Sequence, residues 1–457
     1  MLYRYLLVTV ILLTQYVCAD EKRDKSQIMD FLFSIERHGF SVDSEDWMST
    51  FKGQSDNDLI SIYEKYYRYI SEGRLDKNFF QTGWTIADVP HVRNEDGGFE
   101  SIEEVQSKIP QYSILLSALN KLQWWSKNAI NIFPNTVVLV EGDTGEMVSK
   151  LNEWLFDLDL IDKQPSDIYG KIHLNALTKI QVKYDLMPDG RLGSSSRQKL
   201  LAITNQRIKL IKANIERLRW LPQSLPYPHI WVDIPGFEVS LVKQDGSKVV
   251  YKAIVGSRRK QTPIFQSEVK SFFINPVWKV PHKIAAHYLL RKEKKNPGML
   301  KQEGFLVYEN WDDKANLVLM EKINWNSYTV SNFKFRLEQL PGDKNSLGKY
   351  KLDMPNKHGI YLHGTNKPNL FDRKERMFSS GCARVDKVKE LVEEILSNQG
   401  MEMVPDLLEG GSKTEKVSLN KIIPTYFSYF TAWPDESGRV RFRNDIYQLD
   451  NALVSWF

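Results

Sequence analysis

A run of prolines, Pro222, Pro226 and Pro228, divides this chain into halves whose hydrophobic periods differ. No single regular architecture accommodates both. Before the prolines, apolar residues recur at helical spacing: Ile28, Phe31, Leu32 and Ile35, then Leu59, Tyr63, Tyr66 and Ile70, then Tyr112, Leu115, Leu119 and Leu122. After them the period is two. Ile230, Val232 and Ile234, then Phe237, Val239 and Leu241, alternate with other residues, and Gln244 to Ser247 reads as a hairpin turn before Val249 to Val255 returns. The expectation is an α+β multidomain protein, helical first and mainly β afterwards. At 457 residues, with 42% hydrophobic and 26% charged, the chain can bury several cores.

Finer divisions follow from texture. Residues 20–135 read as a helical scaffold domain whose aromatics, Trp124 and Trp125 included, serve core or interface. Residues 136–203 are short helices punctuated by glycine turns such as Asp189-Gly190. Residues 204–228 hold a basic amphipathic helix, Ile208, Ile211, Ile215 and Leu218 on one face, read as a connector packed on its neighbours and stopped by the prolines. Residues 229–457 form the β domain, interrupted at about 283–340 by a basic, aromatic-rich helical insertion expected to act as a lid.

Met1 to Leu13 followed by Val17-x-Ala19 and a charged run resembles a secretory signal over 1–19, with the mature start near Asp20. Its apolar core falls short of the roughly 20 residues that span a bilayer, and an uncleaved anchor is the alternative reading. Export removes Cys18 and leaves Cys382 as a lone thiol, too few cysteines for a disulfide framework or a Cys-based zinc cluster. Lys and Arg number 62 against 57 Asp and Glu, a net +5 that offers no nucleic-acid footprint.

Around Cys382 the residue types carry chemistry. His358-Gly359-Ile360-Tyr361-Leu362-His363-Gly364-Thr365 is followed by Phe378-Ser379-Ser380-Gly381-Cys382-Ala383-Arg384-Val385. In an extended segment Tyr361 and His363 share a face. A thiol is activated by a neighbouring imidazole or cation, so His363, Arg376 and Arg384 are expected to lower the Cys382 pKa or to hold a substrate carboxylate. Gly381 lets backbone amides approach an oxyanion. Asp386 is placed to cap a helix through Val388, Leu391, Val392 and Ile395. This is the pattern of a cysteine acyltransferase or hydrolase. A metal site of His358, His363 and Cys382, or plain packing, are the competing readings.

The two motifs resemble the signature of L,D-transpeptidases with a YkuD-type catalytic domain, and best the large YcbB-like subgroup. Gln261-Thr262-Pro263, Phe273-Ile274-Asn275-Pro276-x-Trp278, Pro341-Gly342-x-x-Asn345-x-Leu347-Gly348 and Thr431-Ala432-Trp433-x-Asp435 extend the likeness. Residues 136–203 resemble the small three-helix peptidoglycan-binding module of bacterial wall enzymes. The resemblance implies a periplasmic, wall-associated enzyme that cuts a tetrapeptide stem at its third residue through a Cys382 thioester and forms 3-3 crosslinks. In that scheme His363 is the base, the Gly364 carbonyl orients it, and amides at Gly381, Cys382 and Ser380 form the oxyanion hole. Tyr361, Arg384 and Arg376 are the substrate-binding candidates. No cofactor and no metal are implied. The implied partners are donor and acceptor peptidoglycan stems, with wall-anchored proteins or a peptidoglycan synthase beside them. An L,D-carboxypeptidase or other peptidoglycan hydrolase on this scaffold, and a non-catalytic wall-binding scaffold, are the rival functions.

Overall fold

The computed structural model describes residues 25–40, 43, 46, 56–80, 82–83, 99–162, 166–401 and 413–457. The expected signal segment lies outside them. The chain forms two compact units, one running up to Leu225 and including Phe430–Phe457, the other Pro226–Tyr429.

In the first unit the helical spacing does what the sequence predicts. Ile28, Phe31, Leu32 and Ile35 pack with Tyr63, Tyr66 and Ile70 of the helix Asp56–Ser71 in one apolar cluster. The helix Pro110–Ile132 buries Tyr112, Leu115, Leu119 and Leu122. Of the tandem tryptophans, Trp125 is buried and stacks on Trp154 at 5.6 Å between ring centroids, whereas Trp124 is 46% exposed. Helices Glu146–Asp157, Lys171–Lys183 and Ser194–Arg219 follow. The Asp189-Gly190 turn is held by the buried Gln181 amide, which donates to Asp189 and Ser196 and accepts from the Gly190 N–H.

The expected boundary at 203/204 is not a break, because the third helix and the connector are one helix of 26 residues. Its C-terminal end is buried on every side. The basic residues Arg217 and Arg219 of this amphipathic helix lie inside, Arg217 on Asp450 at 2.6 Å and Arg219 on the His38 carbonyl at 2.6 Å. Asp450 belongs to the C-terminal segment, which adds the hairpin Ala432–Pro434 and Val440–Phe442 and the helix Asp450–Val454. The division therefore departs from the expected 229–457 domain. The C-terminal segment joins the first unit because its polar partners, Asn214 and Arg217 among them, are there.

The second unit is a strand barrel. Its strands are β1 His229–Asp233, β2 Glu238–Val242, β3 Lys248–Gly256, β4 Ile264–Ile274, β5 Trp278–Lys279, β6 Phe305–Tyr308, β7 Arg336–Gln339, β8 Tyr350–Asp353, β9 Leu362–His363, β10 Met377–Ser379, β11 Ala383–Val385 and β12 Glu415–Ser428. The ladder runs β4-β12-β1-β2-β3-β11-β9-β8, and β8 pairs back onto β4 to close it. Closure removes the exposed edges that an open antiparallel sheet would carry. Alternation supplies the core: Val239 and Leu241 of β2, Leu352 of β8, Leu362 of β9 and Ala383 of β11 are fully buried, and Phe265 stacks on Phe427 at 4.5 Å. β10 lies against β3, off this path.

The insertion has its own core of Val280, Ala285, Leu289, Leu300, Phe305, Val307, Phe333, Phe335 and Leu337. It is not purely helical. The alternating segments Phe305–Tyr308 and Arg336–Gln339 pair with each other and with Trp278–Lys279 in a three-stranded sheet, beside helices Leu290–Lys295 and Met299–Gln302. Buried Glu293 accepts the N–H groups of Gly298 and Leu300, satisfying the start of the latter helix. Buried Asn345 joins the two ends of the insertion, donating to the carbonyls of Pro276, Gln339 and Leu340 and accepting from the Leu347 N–H.

Candidate active site

Strand β9 runs parallel to β11 with Leu362 beside Ala383 and His363 beside Arg384. Leu362 and Ala383 point into the barrel. The period of two then turns Tyr361, His363, Cys382 and Arg384 to the other face, with Tyr361 level with Cys382 and His363 its diagonal neighbour. On the far side of β9, antiparallel β8 sets Lys351 opposite His363. Lys351, His363 and Arg384 thus form a row of three basic side chains, with Tyr361 and Cys382 one step before it.

The turn that presents the thiol is held by two hydroxyls. Ser379 Oγ donates to the Cys382 carbonyl at 2.6 Å and accepts the Gly381 N–H at 3.1 Å. Thr262 Oγ1 donates to the Gly381 carbonyl at 2.7 Å and accepts the Gly256 N–H at 2.8 Å. Gly381 has φ +126°, and a Cβ there would stand 3.0 Å from Ile360 Cδ1, so the bend before the thiol calls for glycine. A Cβ on Gly256 would meet the Lys260 carbonyl oxygen at 2.1 Å, which lets the Thr262 loop close on the strand. Neither hydroxyl was assigned a role from sequence, although Gln261-Thr262-Pro263 was part of the resemblance.

Cys382 is half-buried, with Sγ 3.8 Å from the Gly359 carbonyl. Burial pushes its thiol up from the ordinary value, while the Tyr361 N–H, Lys351, Arg384 and the Tyr361 hydroxyl pull it down without prevailing. This corrects the expectation of a lowered thiol. Burial takes the His363 imidazole down to about 3, Arg384 and Lys351 press in the same direction, and the backbone of Gly364 and Leu347 opposes. His363 Nδ1 is buried without a full hydrogen bond among the described residues. The resting pair is therefore neutral thiol and neutral imidazole.

Tyr361 sits 5.5 Å from the His363 ring, and its hydroxyl interacts with Cys382 and with Trp278. Arg384 donates to Thr365 Oγ1 at 3.4 Å and feels Tyr288. Trp278 of β5 thus meets this face through Tyr361, and Tyr288 of the insertion acts on it through Arg384. Ser380 is exposed, its hydroxyl 3.4 Å from Lys260 Nζ. Arg376 is held otherwise: its guanidinium donates to the carbonyls of Ala253, Phe237 and Arg373, fastening β10 to β3. Asp386 does not cap the following helix. That helix, Val388–Asn398, starts from Lys387 at φ 48°, and the Asp386 N–H bonds the Lys252 carbonyl. A cavity of about 580 Å³ borders Gly364, Thr365 and Asp386, with neither Cys382 nor His363 on its wall. Among the described residues no three His, Cys, Asp or Glu side chains gather as metal ligands, and no helix is long and apolar enough to cross a membrane.

Residues 227–407, which include this face, match the YkuD family, described as the L,D-transpeptidase catalytic domain. A Haemophilus influenzae protein named "Putative L,D-transpeptidase" is 31% identical over 248 residues, 53% of this chain and 49% of that protein. The chain thus spans about half the length of that curated relative. Two solved L,D-transpeptidases align at low identity. The one from Xylanimonas cellulosilytica (residues 123–326) is 13% identical with a TM-score of 0.16, covering 64% of this chain and 97% of its own. The one from Stackebrandtia nassauensis is 14% identical with a TM-score of 0.17, covering 62% and 95%.

Proposed function

We propose that the second unit is a cysteine L,D-transpeptidase acting on peptidoglycan. The observation that carries this is the β9–β11 register, which puts Cys382, His363, Tyr361 and Arg384 on one face within the matched segment. Cys382 Sγ attacks the carbonyl of the third stem residue as neutral His363 takes the thiol proton. Because the thiol rests protonated, proton transfer accompanies attack. His363 then gives the proton to the departing D-alanine amine, and a thioester remains on Cys382. The side-chain amine of diaminopimelate on a second stem attacks the thioester, losing its proton to His363, and the thiol is regenerated with a 3-3 crosslink formed. The oxyanion is met by the amides of Cys382 and Ser380. The Gly381 N–H, expected to join them, is engaged by Ser379 Oγ. No external energy source enters, since one amide is exchanged for another.

In this reading the insertion is a lid, residues 136–203 hold the wall polymer, and the chain works in the periplasm after export. Carbapenems, whose strained lactam presents an acyl group to the same thiol, acylate Cys382. The test is mass spectrometry of disaccharide-tetrapeptides incubated with the protein from Asp20 onward and with its Cys382→Ala variant. A crosslinked dimer lacking one D-alanine, absent from the variant, is expected. Tripeptide alone would make the enzyme an L,D-carboxypeptidase, and unaltered substrate would sink the reading.

A further inference from the structure

Lys351 belongs to no motif around the thiol, yet it shares the site's face. It stands opposite His363 in the β8–β9 register, and its ammonium lies 4.5 Å from the Tyr361 ring centroid and 5.2 Å from that of Phe273. A cation over two aromatic faces is attracted to both, more strongly where water is partly excluded, and Lys351 is only 23% exposed. Its carboxylate partner, Asp353, is at 3.8 Å, too far for a hydrogen bond, and is shared with Lys416 at 4.0 Å and with Ser271 Oγ at 3.4 Å. The ammonium is therefore fixed by rings, with its charge only partly countered.

We propose that Lys351 is a positioning residue of this site: seated on the Tyr361 ring, it holds that ring against Cys382 and supplies positive charge that favours the thiolate as it forms. The inference rests on Cys382 being the nucleophile of the proposed reaction. Besides Lys351, the groups that act on the sulfur are Tyr361 on β9 and Arg384 on its own strand; around them, Arg384 and Lys351 act on His363, Tyr288 of the insertion acts on Arg384, Asp353 of β8 pairs with Lys351, and Lys260 lies beside Ser380. Of the cations, Lys351 and Arg384 both act on the thiol. Arg384 is tied to Thr365, whereas Lys351 is the cation that touches Tyr361.

The experiment is the pH dependence of iodoacetamide alkylation of Cys382 in the full chain, wild type against Lys351→Met and Lys351→Arg, with Cys382→Ala as blank. Lys351→Met should alkylate roughly fivefold more slowly near pH 7.5 and converge with wild type at high pH, because its thiolate fraction is smaller. Lys351→Arg should stay within about twofold of wild type, since it keeps the charge over the ring. If Lys351→Met does not fold, Lys351→Gln carries the same expectation. A Met or Gln profile that overlays wild type overturns the proposal. So does an Arg variant that falls as far as Met, which would make the role one of shape, or a wild-type thiol that reacts at no pH. Alkylation needs no muropeptide. A shifted profile in a protein that forms no crosslinks would therefore retire the transpeptidase reading and the positioning role with it, leaving only the effect of the Lys351 charge on the thiol.

Discussion

At the scale of single residues, the two groups proposed to exchange a proton are both held towards their neutral forms. Burial raises the Cys382 thiol and takes the His363 imidazole to about 3, so neither group is charged near neutral pH. Iodoacetamide reactivity of the wild-type thiol should therefore keep climbing through pH 9, and a plateau below pH 7 would indicate a pre-formed ion pair instead. His363→Ala should leave that titration nearly in place while cutting crosslink formation by about 10²–10⁴-fold, the ordinary worth of a general base. Comparing the two readouts on one sample decides the point. Cys382 and His363 were legible in the sequence because each sits in a short motif of glycines and small residues. Lys351 was not, since only strand pairing brings a residue between Tyr350 and Leu352 opposite His363. Arg376 shows the opposite failure: its charge and proximity in sequence suggested a ligand contact, but the backbone carbonyls of Phe237 and Ala253 and of Arg373 in its own turn take up the guanidinium.

At the scale of elements, the turn before Cys382 depends on a loop more than a hundred residues earlier. Thr262 is 2% exposed and joins the Gly256 amide to the Gly381 carbonyl. Thr262→Val keeps the shape and removes both bonds, leaving a buried N–H and C=O unsatisfied, a loss of about 2–4 kcal/mol in stability. Turnover should fall with it, mainly in kcat, because the amides beside the sulfur lose their fixed direction. Urea unfolding read beside steady-state kinetics checks both; unchanged values in each would show the turn to be self-supporting. The alternation in β2 and the Gly246 turn were readable from local pattern. Closure of β8 on β4 was not, because it joins strands separated by the whole insertion, and the insertion's three-stranded sheet was hidden by its basic helical composition.

At the scale of the whole molecule, stability is tied to protonation in both units. His38 in the first and His363 in the second are buried, each with its imidazole taken down to about 3 from 6.5. The unfolded chain binds these protons first, so the contribution is complete above about pH 6.5 and is lost as pH falls towards 3, up to roughly 5 kcal/mol for each group. A second dependence is particular to the first unit, whose fold is completed by a segment the chain reaches only after the barrel. Arg217 and Asp450 meet at 2.6 Å with both side chains buried, and Asn214 exchanges two hydrogen bonds with Thr431. The sequence could not show this, since the partners lie more than two hundred residues apart and no local period marks either. Removing one member of a buried pair costs about 3–5 kcal/mol because the other charge stays desolvated. Asp450→Ala should therefore lower the melting temperature of the first unit by roughly 10 °C. Calorimetry of the full chain, with Cys382 alkylation on the same variant as a reporter of the barrel, makes the test. An unmoved calorimetric transition would mean that the C-terminal segment contributes little to the unit it joins. A lowered transition with wild-type alkylation kinetics would place its effect in the first unit and leave the surroundings of Cys382 intact.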